Sequence, residues 1–224
     1  MQTRLRMQTF NSNSSWTAPA GITAVIVYGM GGGSGGMAGN VIAGQDSTSW
    51  AGGGVCLFTQ FITVVPNTSY TITIGAGSAG GTVAGTLVSA GGDTTFGSLA
   101  TFKGFGPITS NTGVSAVCMY LMNNNPLGND YRPYNNSEPP GAGKSGVSGT
   151  NGTTDGTYYG GAAGISGEGV GGNGGNGNAS GAGTAGSAAA ANSGAGGGKG
   201  GAGTSGTAAG GAGGSGQMIL IWAE

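Results

Sequence analysis

No histidine occurs in this chain, and charge is scarce: six lysines and arginines face seven aspartates and glutamates in 224 residues, for a formal net charge of −1. Without imidazole the usual general base and the usual zinc ligand are missing, so neither a catalytic nor a metal site is expected. Nucleic acid is excluded as a partner, because phosphate binding draws on a basic face and only Arg4 and Arg6 stand close together. No polybasic segment suits an anionic membrane surface, and no apolar run reaches the length of a membrane span. The basic start, Met1 to Phe10, lacks the apolar stretch of a signal peptide. Two cysteines, Cys56 and Cys118, are too few for a disulfide framework and read as small buried apolar side chains, a bridge between them being the less favoured alternative. No cofactor is expected.

What the chain has instead is glycine, 56 residues of it. Three textures follow one another. From about Trp16 to Phe105 the sequence reads as strands: the β-branched run Ile22–Tyr28, the long apolar run Val55–Val65, the alternating Ser69–Ile74 with Tyr70, Ile72 and Ile74 on one face, and the weaker Thr94–Phe102. Pro66-Asn67-Thr68 marks a turn. Residues 106–140 form a variable loop region rich in proline and asparagine. Residues 141–216 are mostly glycine with alanine, serine, threonine and asparagine, and Met218–Trp222 then reads as a closing strand.

Composition alone would make the glycine tract disordered. Its spacing argues for order. Gly194, Gly197, Gly200, Gly203 and Gly206 recur every third residue, as do Gly161, Gly164 and Gly167, then Gly171, Gly174 and Gly177, then Gly210, Gly213 and Gly216. Three residues make one turn of the polyproline-II helix, and a glycine row lets neighbouring backbones approach. Little proline and no strict repeat exclude collagen. The expected fold is therefore all-β: a sandwich-like core closed by the C-terminal strand, with a long glycine-rich insertion forming packed polyglycine or polyproline-II helices. Residues 16–224 read as one domain, with its β core at 16–105 and 217–224, and residues 1–15 as a linker.

Two nucleotide motifs fail on inspection. Gly31–Gly36 satisfies G-x-G-x-x-G, but such matches recur by chance in so glycine-rich a chain, and the following residues make a poor helix. Glu138–Ser145 approaches a P-loop but has glutamate where glycine is required. The scattered carboxylates, Asp93 and Asp155 among them, fit turn capping; a glycosidase-like pair is the competing reading. Aromatic residues outside strands are the sharper feature. Tyr131, Arg132 and Tyr134 stand together in a loop stiffened by Pro126, Pro133, Pro139 and Pro140, with Trp50, Tyr158 and Tyr159 as candidate neighbours. Rigid aromatic and arginine anchors are the usual hot-spot residues of binding surfaces. Packing against the core or against a sister subunit is the competing reading for these side chains.

The run Trp16-Thr-Ala-Pro-Ala-Gly-Ile-Thr-Ala-Val-Ile-Val-Tyr-Gly-Met-Gly-Gly-Gly33 resembles the opening of the glycine-rich receptor-binding tip domains of phage tail fibres and related bacterial adhesive fibres. Val65–Gly77, Gly91–Ser98 and Gly213–Trp222 resemble three further signatures of that family, in order, with Asn67 standing where glycine is usual. The resemblance implies a non-enzymatic adhesin, extracellular at the distal end of a virion tail fibre or cell-surface fibre. Its partners would be a bacterial surface glycan or outer-membrane protein and a fibre shaft reached through residues 1–15, with the chain assembled as a homotrimer. Two other functions compete. One is a structural or ice-binding polyproline-II lattice, although the outward residues of the tract show no regular threonine or alanine row along the sequence. The other is a surface-polysaccharide hydrolase.

Overall fold

The structure, a computed structural model, describes residues 4–39, 52, 55, 58–84, 86–106 and 170–224. It is all-β, and no helix occurs among the described residues. Eight strands follow in order: β1 Leu5–Phe10, β2 Ser14–Thr17, β3 Ala24–Met30, β4 Phe58–Thr63, β5 Ser69–Thr73, β6 Thr94–Phe96, β7 Ala100–Phe102 and β8 Gln217–Ala223. One sheet has the order β1-β8-β3-β4 and the other β2-β5-β6-β7, with every pairing antiparallel. The closing strand, β8, lies between β1 and β3 rather than at an edge.

Alternation builds the core. Val25 and Val27 of β3 and Met218 and Leu220 of β8 point inward with Phe10 and Ile62, against Trp16, Ile72, Phe96, Ala100 and Phe102 of the second sheet. Trp16 holds the two sheets together. Its ring centroid is 6.0 Å from Phe96 and 6.3 Å from Tyr70 in its own sheet, and 5.4 Å, edge-on, from Trp222 of the facing sheet. Residues 5–10, which the sequence suggests as a linker, are strand β1, paired along their whole length with β8 from Leu5↔Ala223 to Phe10↔Met218.

The glycine segments form a second layer system of threefold helices. Gly33, Gly36 and Gly39 donate to Gly214, Gly211 and Ala208; Gly197 and Gly200 donate to Ser34 and Met37; Gly198 and Gly201 donate to Ser187 and Thr184. Both partners advance three residues between bonds, the period of the polyproline-II helix. The segment 194–203 is central, bonded to segments 31–39, 170–178, 182–190 and 207–216 and to Gly52 and Val55. Asn192, in the left-handed region at φ 56°, turns the chain between 182–190 and 194–203. The lattice therefore draws on residues 31–39 and 75–81 of the strand-rich region as well as on the glycine tract, of which residues 141–169 lie outside the described residues. The Gly31–Gly36 motif is an extended lattice segment.

Close packing explains the glycine rows. A Cβ at Gly197 would meet the carbonyl of Gly211, one at Gly198 the carbonyl of Asn173, and one at Gly200 the carbonyl of Ala208. The lattice is mounted directly on the sandwich: β3 runs on into 31–39, β5 into 75–81, and 207–216 runs into β8. Gly75 N–H donates to the buried Thr94 hydroxyl at 2.9 Å, and Gly216 N–H to Gly75 O at 2.8 Å. At the same junction Asp93 accepts from Lys103 Nζ at 2.7 Å and from Gly104 N–H at 2.9 Å, which ties β6 to the chain leaving β7. Partial burial disfavours the Asp93 charge, but the Lys103 ammonium and the Gly104 amide outweigh it and hold the carboxyl below the ordinary aspartate range.

Two predictions follow from these contacts. Gly200→Val should lower stability by more than about 3 kcal/mol or abolish folding, because backbone carbonyls cannot retreat as side chains do. Gly106→Ala, where a Cβ meets nothing within 4 Å, should be neutral, and thermal melts of the two variants compare them directly. Asp93→Asn should cost about 0.5–1 kcal/mol at neutral pH, since the ion pair is partly solvated and screened. The native carboxyl is depressed, so its contribution is present above the unfolded value, near pH 4. The contribution fades as pH falls through the folded value. Parent and variant melting curves should therefore converge in acid.

Candidate binding surface

Chain direction sorts the loops. Segment 31–39 leaves β3 at Met30 and runs away from the sandwich. Segments 75–81, 170–178 and 194–203 run parallel to it or to one another, as Ser78 N–H to Gly33 O, Gly197 N–H to Ser34 O and Gly172 N–H to Gly196 O require. The reversals at 179–181 and 204–206, and the start of the loop 82–90, therefore lie together at the far end of the lattice, about 25 Å beyond Met30 at 3.1 Å per residue. Gly203 and Asn178 bridge there, and Thr204 N–H donates to Gly181 O at 2.8 Å. The residues of these turns are exposed: Ala179, Ser180, Thr204, Ser205 and Gly206.

The loop 82–90 is anchored at one point and displayed at others. Val88 is buried against Met37 of the lattice, while Val83 and Leu87 are among the exposed large hydrophobic side chains. Its first turn is closed by Thr86, whose hydroxyl donates to Val83 O at 2.6 Å. At the opposite pole, where β1 and β8 end furthest from the lattice, Arg4 and Glu224 exchange backbone hydrogen bonds of 2.7 and 2.8 Å. The Glu224 carboxylate accepts from Trp222 Nε1 and Arg6 Nε, and these two bonds hold its pKa below the ordinary range.

One flank of the lattice is flat and bears alanine. Segments 182–190, 207–216 and 75–81 lie side by side, linked by Gly186 N–H to Ala209 O and by Gly213 N–H to Ser78 O. In each, glycine rows point away from this flank: a Cβ on Gly186 would meet Gly198 O, on Gly213 Gly33 O, and on Gly77 Gly213 O. The rows Ala182-Ala185-Ala188, Ala209-Ala212-Ser215 and Ala76-Ala79 face outward, the first and last exposed at every position, while the hydroxyls of Thr184 and Ser187 turn toward segment 170–178. Regular alanine rows thus exist, contrary to the irregularity of the outward residues read along the sequence, and three separated segments bring them side by side. Along each helix the methyls repeat at about 9 Å.

The residues singled out from sequence, Tyr131, Arg132, Tyr134, Trp50, Tyr158 and Tyr159, lie outside the described residues, as do Cys56 and Cys118. Most of them belong to the segment 107–169, and Gly106 is the last described residue before it. Phe105 itself is fixed beside the base of the lattice by its N–H to Gly32 O, at 2.9 Å, and by Gly91 N–H to its own carbonyl. Val83 and Leu87, and the alanine rows, escaped the sequence reading. The alanine period of three in 182–188 was a usable signal; the exposure of two aliphatic residues in a nine-residue loop had none. Among the described residues no cluster of acidic, cysteine or histidine side chains is placed to hold a metal ion.

No curated protein matches the sequence significantly. A family profile does, over nearly its whole length from residue 8 to residue 223, spanning both sheets and the lattice, and on that match the chain belongs to the glycine-rich domain family.

Proposed function

We infer that the chain is a non-enzymatic receptor-binding module displayed at the distal end of a tail fibre or cell-surface fibre. The observation that carries this reading is polarity. The described lattice reversals at 179–181 and 204–206 and the start of the loop 82–90 gather at one pole, whereas Arg4 and Glu224 meet at the other. A shaft joined before Arg4 would place the turns outermost, where a receptor is met. The lattice itself offers few handles, because its interior rows are mostly glycine, with Ser34, Met37 and Lys199 among the buried exceptions, and its flank is methyl. Affinity then rests on the large side chains carried by the loops, with Tyr131, Arg132 and Tyr134 as the central set and Trp50, Tyr158 and Tyr159 beside them. A bacterial surface glycan or an outer-membrane protein suits such anchors, and the chain would act outside the cell, as a trimer if it continues the symmetry of a trimeric shaft.

A second reading draws on the flat alanine flank, whose regular spacing suits a structural or ice-binding lattice. Freezing-point hysteresis of the purified protein, lost in Ala185→Lys, would favour it over the adhesin. A surface-polysaccharide hydrolase has the least support, and release of reducing sugars from cell-surface glycan is its test.

The adhesin reading is checked by binding of labelled protein to a panel of bacterial cells. The double variant Tyr131→Ala, Tyr134→Ala should melt like the parent and bind at least a hundredfold more weakly, since central hot-spot residues contribute about 2 kcal/mol or more each. Retained binding would move the site to Val83, Leu87 and the turns at 179–181 and 204–206.

A further inference from the structure

The outer faces of the two sheets differ in a way that solvation does not explain. On the sheet β2-β5-β6-β7 the outward residues are hydroxyl-bearing: Ser15 opposite Thr71, Thr17 opposite Ser69, Thr73 opposite Thr95, and Thr95 opposite Thr101. That is the ordinary solvated face of an antiparallel sheet. On the sheet β1-β8-β3-β4 the register instead lines up Met7, Ile221, Ile26 and Phe61 in one unbroken apolar row across all four strands. Ile219 and Tyr28 extend the row next to it, with Thr9 and Thr59 at its two ends. Leu5, Met7 and Phe61 are 77%, 69% and 75% exposed.

We propose that this face is a self-association surface, covered in the working assembly by a second copy of the chain. One feature favours a second copy over a charged partner, and two more describe the contact it would make. Among the described residues the face carries no charged side chain: Arg6 alternates to the opposite side of β1 and pairs with Glu224. Two identical faces can therefore meet without opposing like charges, whereas a patch shaped for a charged partner would carry the complement. Its anatomy is that of an interface, with large apolar groups in the centre and threonines at the rim. Its extent, four strands about 4.8 Å apart by some five residues of about 3.3 Å, is roughly 300–400 Å². That is comparable to the largest apolar patch of a typical monomer, roughly 300–600 Å², and short of the ~800 Å² per partner of a standard interface. The association is accordingly weak by itself and gains from any neighbouring segment that holds copies together. Two copies face to face, or three turned toward a common axis, both cover the row. The proposal is independent of the receptor reading, because it concerns the sandwich and not the loops.

Sedimentation equilibrium of the full chain from about 10 μM to about 1 mM, a range that brackets weak association, is the test. The expected result is a concentration-dependent rise in mass above 21.1 kDa for the parent. Phe61→Asp and Met7→Asp should each raise the dissociation constant at least tenfold with unchanged thermal melts, since both side chains are exposed. Val83→Asp, on the loop 82–90, should leave it unchanged. A parent that stays monomeric throughout, or an oligomer indifferent to Phe61→Asp and Met7→Asp, overturns the proposal.

Discussion

The lattice depends on one contact: a backbone N–H reaching the carbonyl of the next threefold helix across a gap that no Cβ can enter. Each such bond nets only about 1 kcal/mol, and each glycine gives up more conformational freedom on ordering than any other residue. Isolated glycine helices would lose that contest. Here the balance shifts because every helix has several neighbours, the central 194–203 segment most of all, and because the bonds come in series of three-residue steps. The strands supply the remaining help. Segments 31–39, 75–81 and 207–216 each begin or end in a packed strand, so their first turns are already ordered.

A sandwich carrying apolar side chains and a lattice carrying almost none divide the work between them. The hydrophobic core around Trp16, Val27, Phe96 and Leu220 provides ordinary cooperativity, and the lattice provides a rigid platform on which loops can be long without being anchored by side chains. Cohesion of the lattice rests on backbone amides, which do not titrate. Among the described residues the resolved carboxylate shifts are confined to Asp93, where the sandwich meets the lattice, and Glu224, at the far pole.

Much of this was legible in the sequence, and the exceptions have physical causes. Ile22–Tyr28, Ser69–Ile74 and Met218–Trp222 announced strands because β-branched and alternating residues fit a pleated, half-buried surface, and they correspond to β3, β5 and β8. Leu5–Phe10 did not, since its inward side chains include Arg6 and Gln8, and an edge strand needs little burial to be held by its neighbour. The glycine triplets pointed to ordered threefold helices. The short runs at 31–39 and 75–81 fell inside the stretch read as strands, because nothing local distinguishes a short lattice segment from a connection between strands. The apolar row Met7–Ile221–Ile26–Phe61 is a property of alignment between distant segments, and no window of sequence contains it; of the alanine flank, only the row Ala182-Ala185-Ala188 lies within one window. The aromatic set around Tyr131 was chosen on side-chain chemistry alone, and residues 107–169 lie outside what the structure describes.

The position of β8 sets an order of events. It is the last strand in sequence, yet it fills the middle of its sheet, between β1 and β3. Until residues 217–223 arrive, Val25 and Val27 have a partner strand on one side only, and β1 has none. The contact that completes the core joins residues more than 200 positions apart, as Thr9↔Ile219 does, and such non-local closure is slow. On a ribosome the sandwich therefore waits for the whole glycine tract to be made. Pairing of β8 completes the sheet and fixes the end of segment 207–216 at the same time.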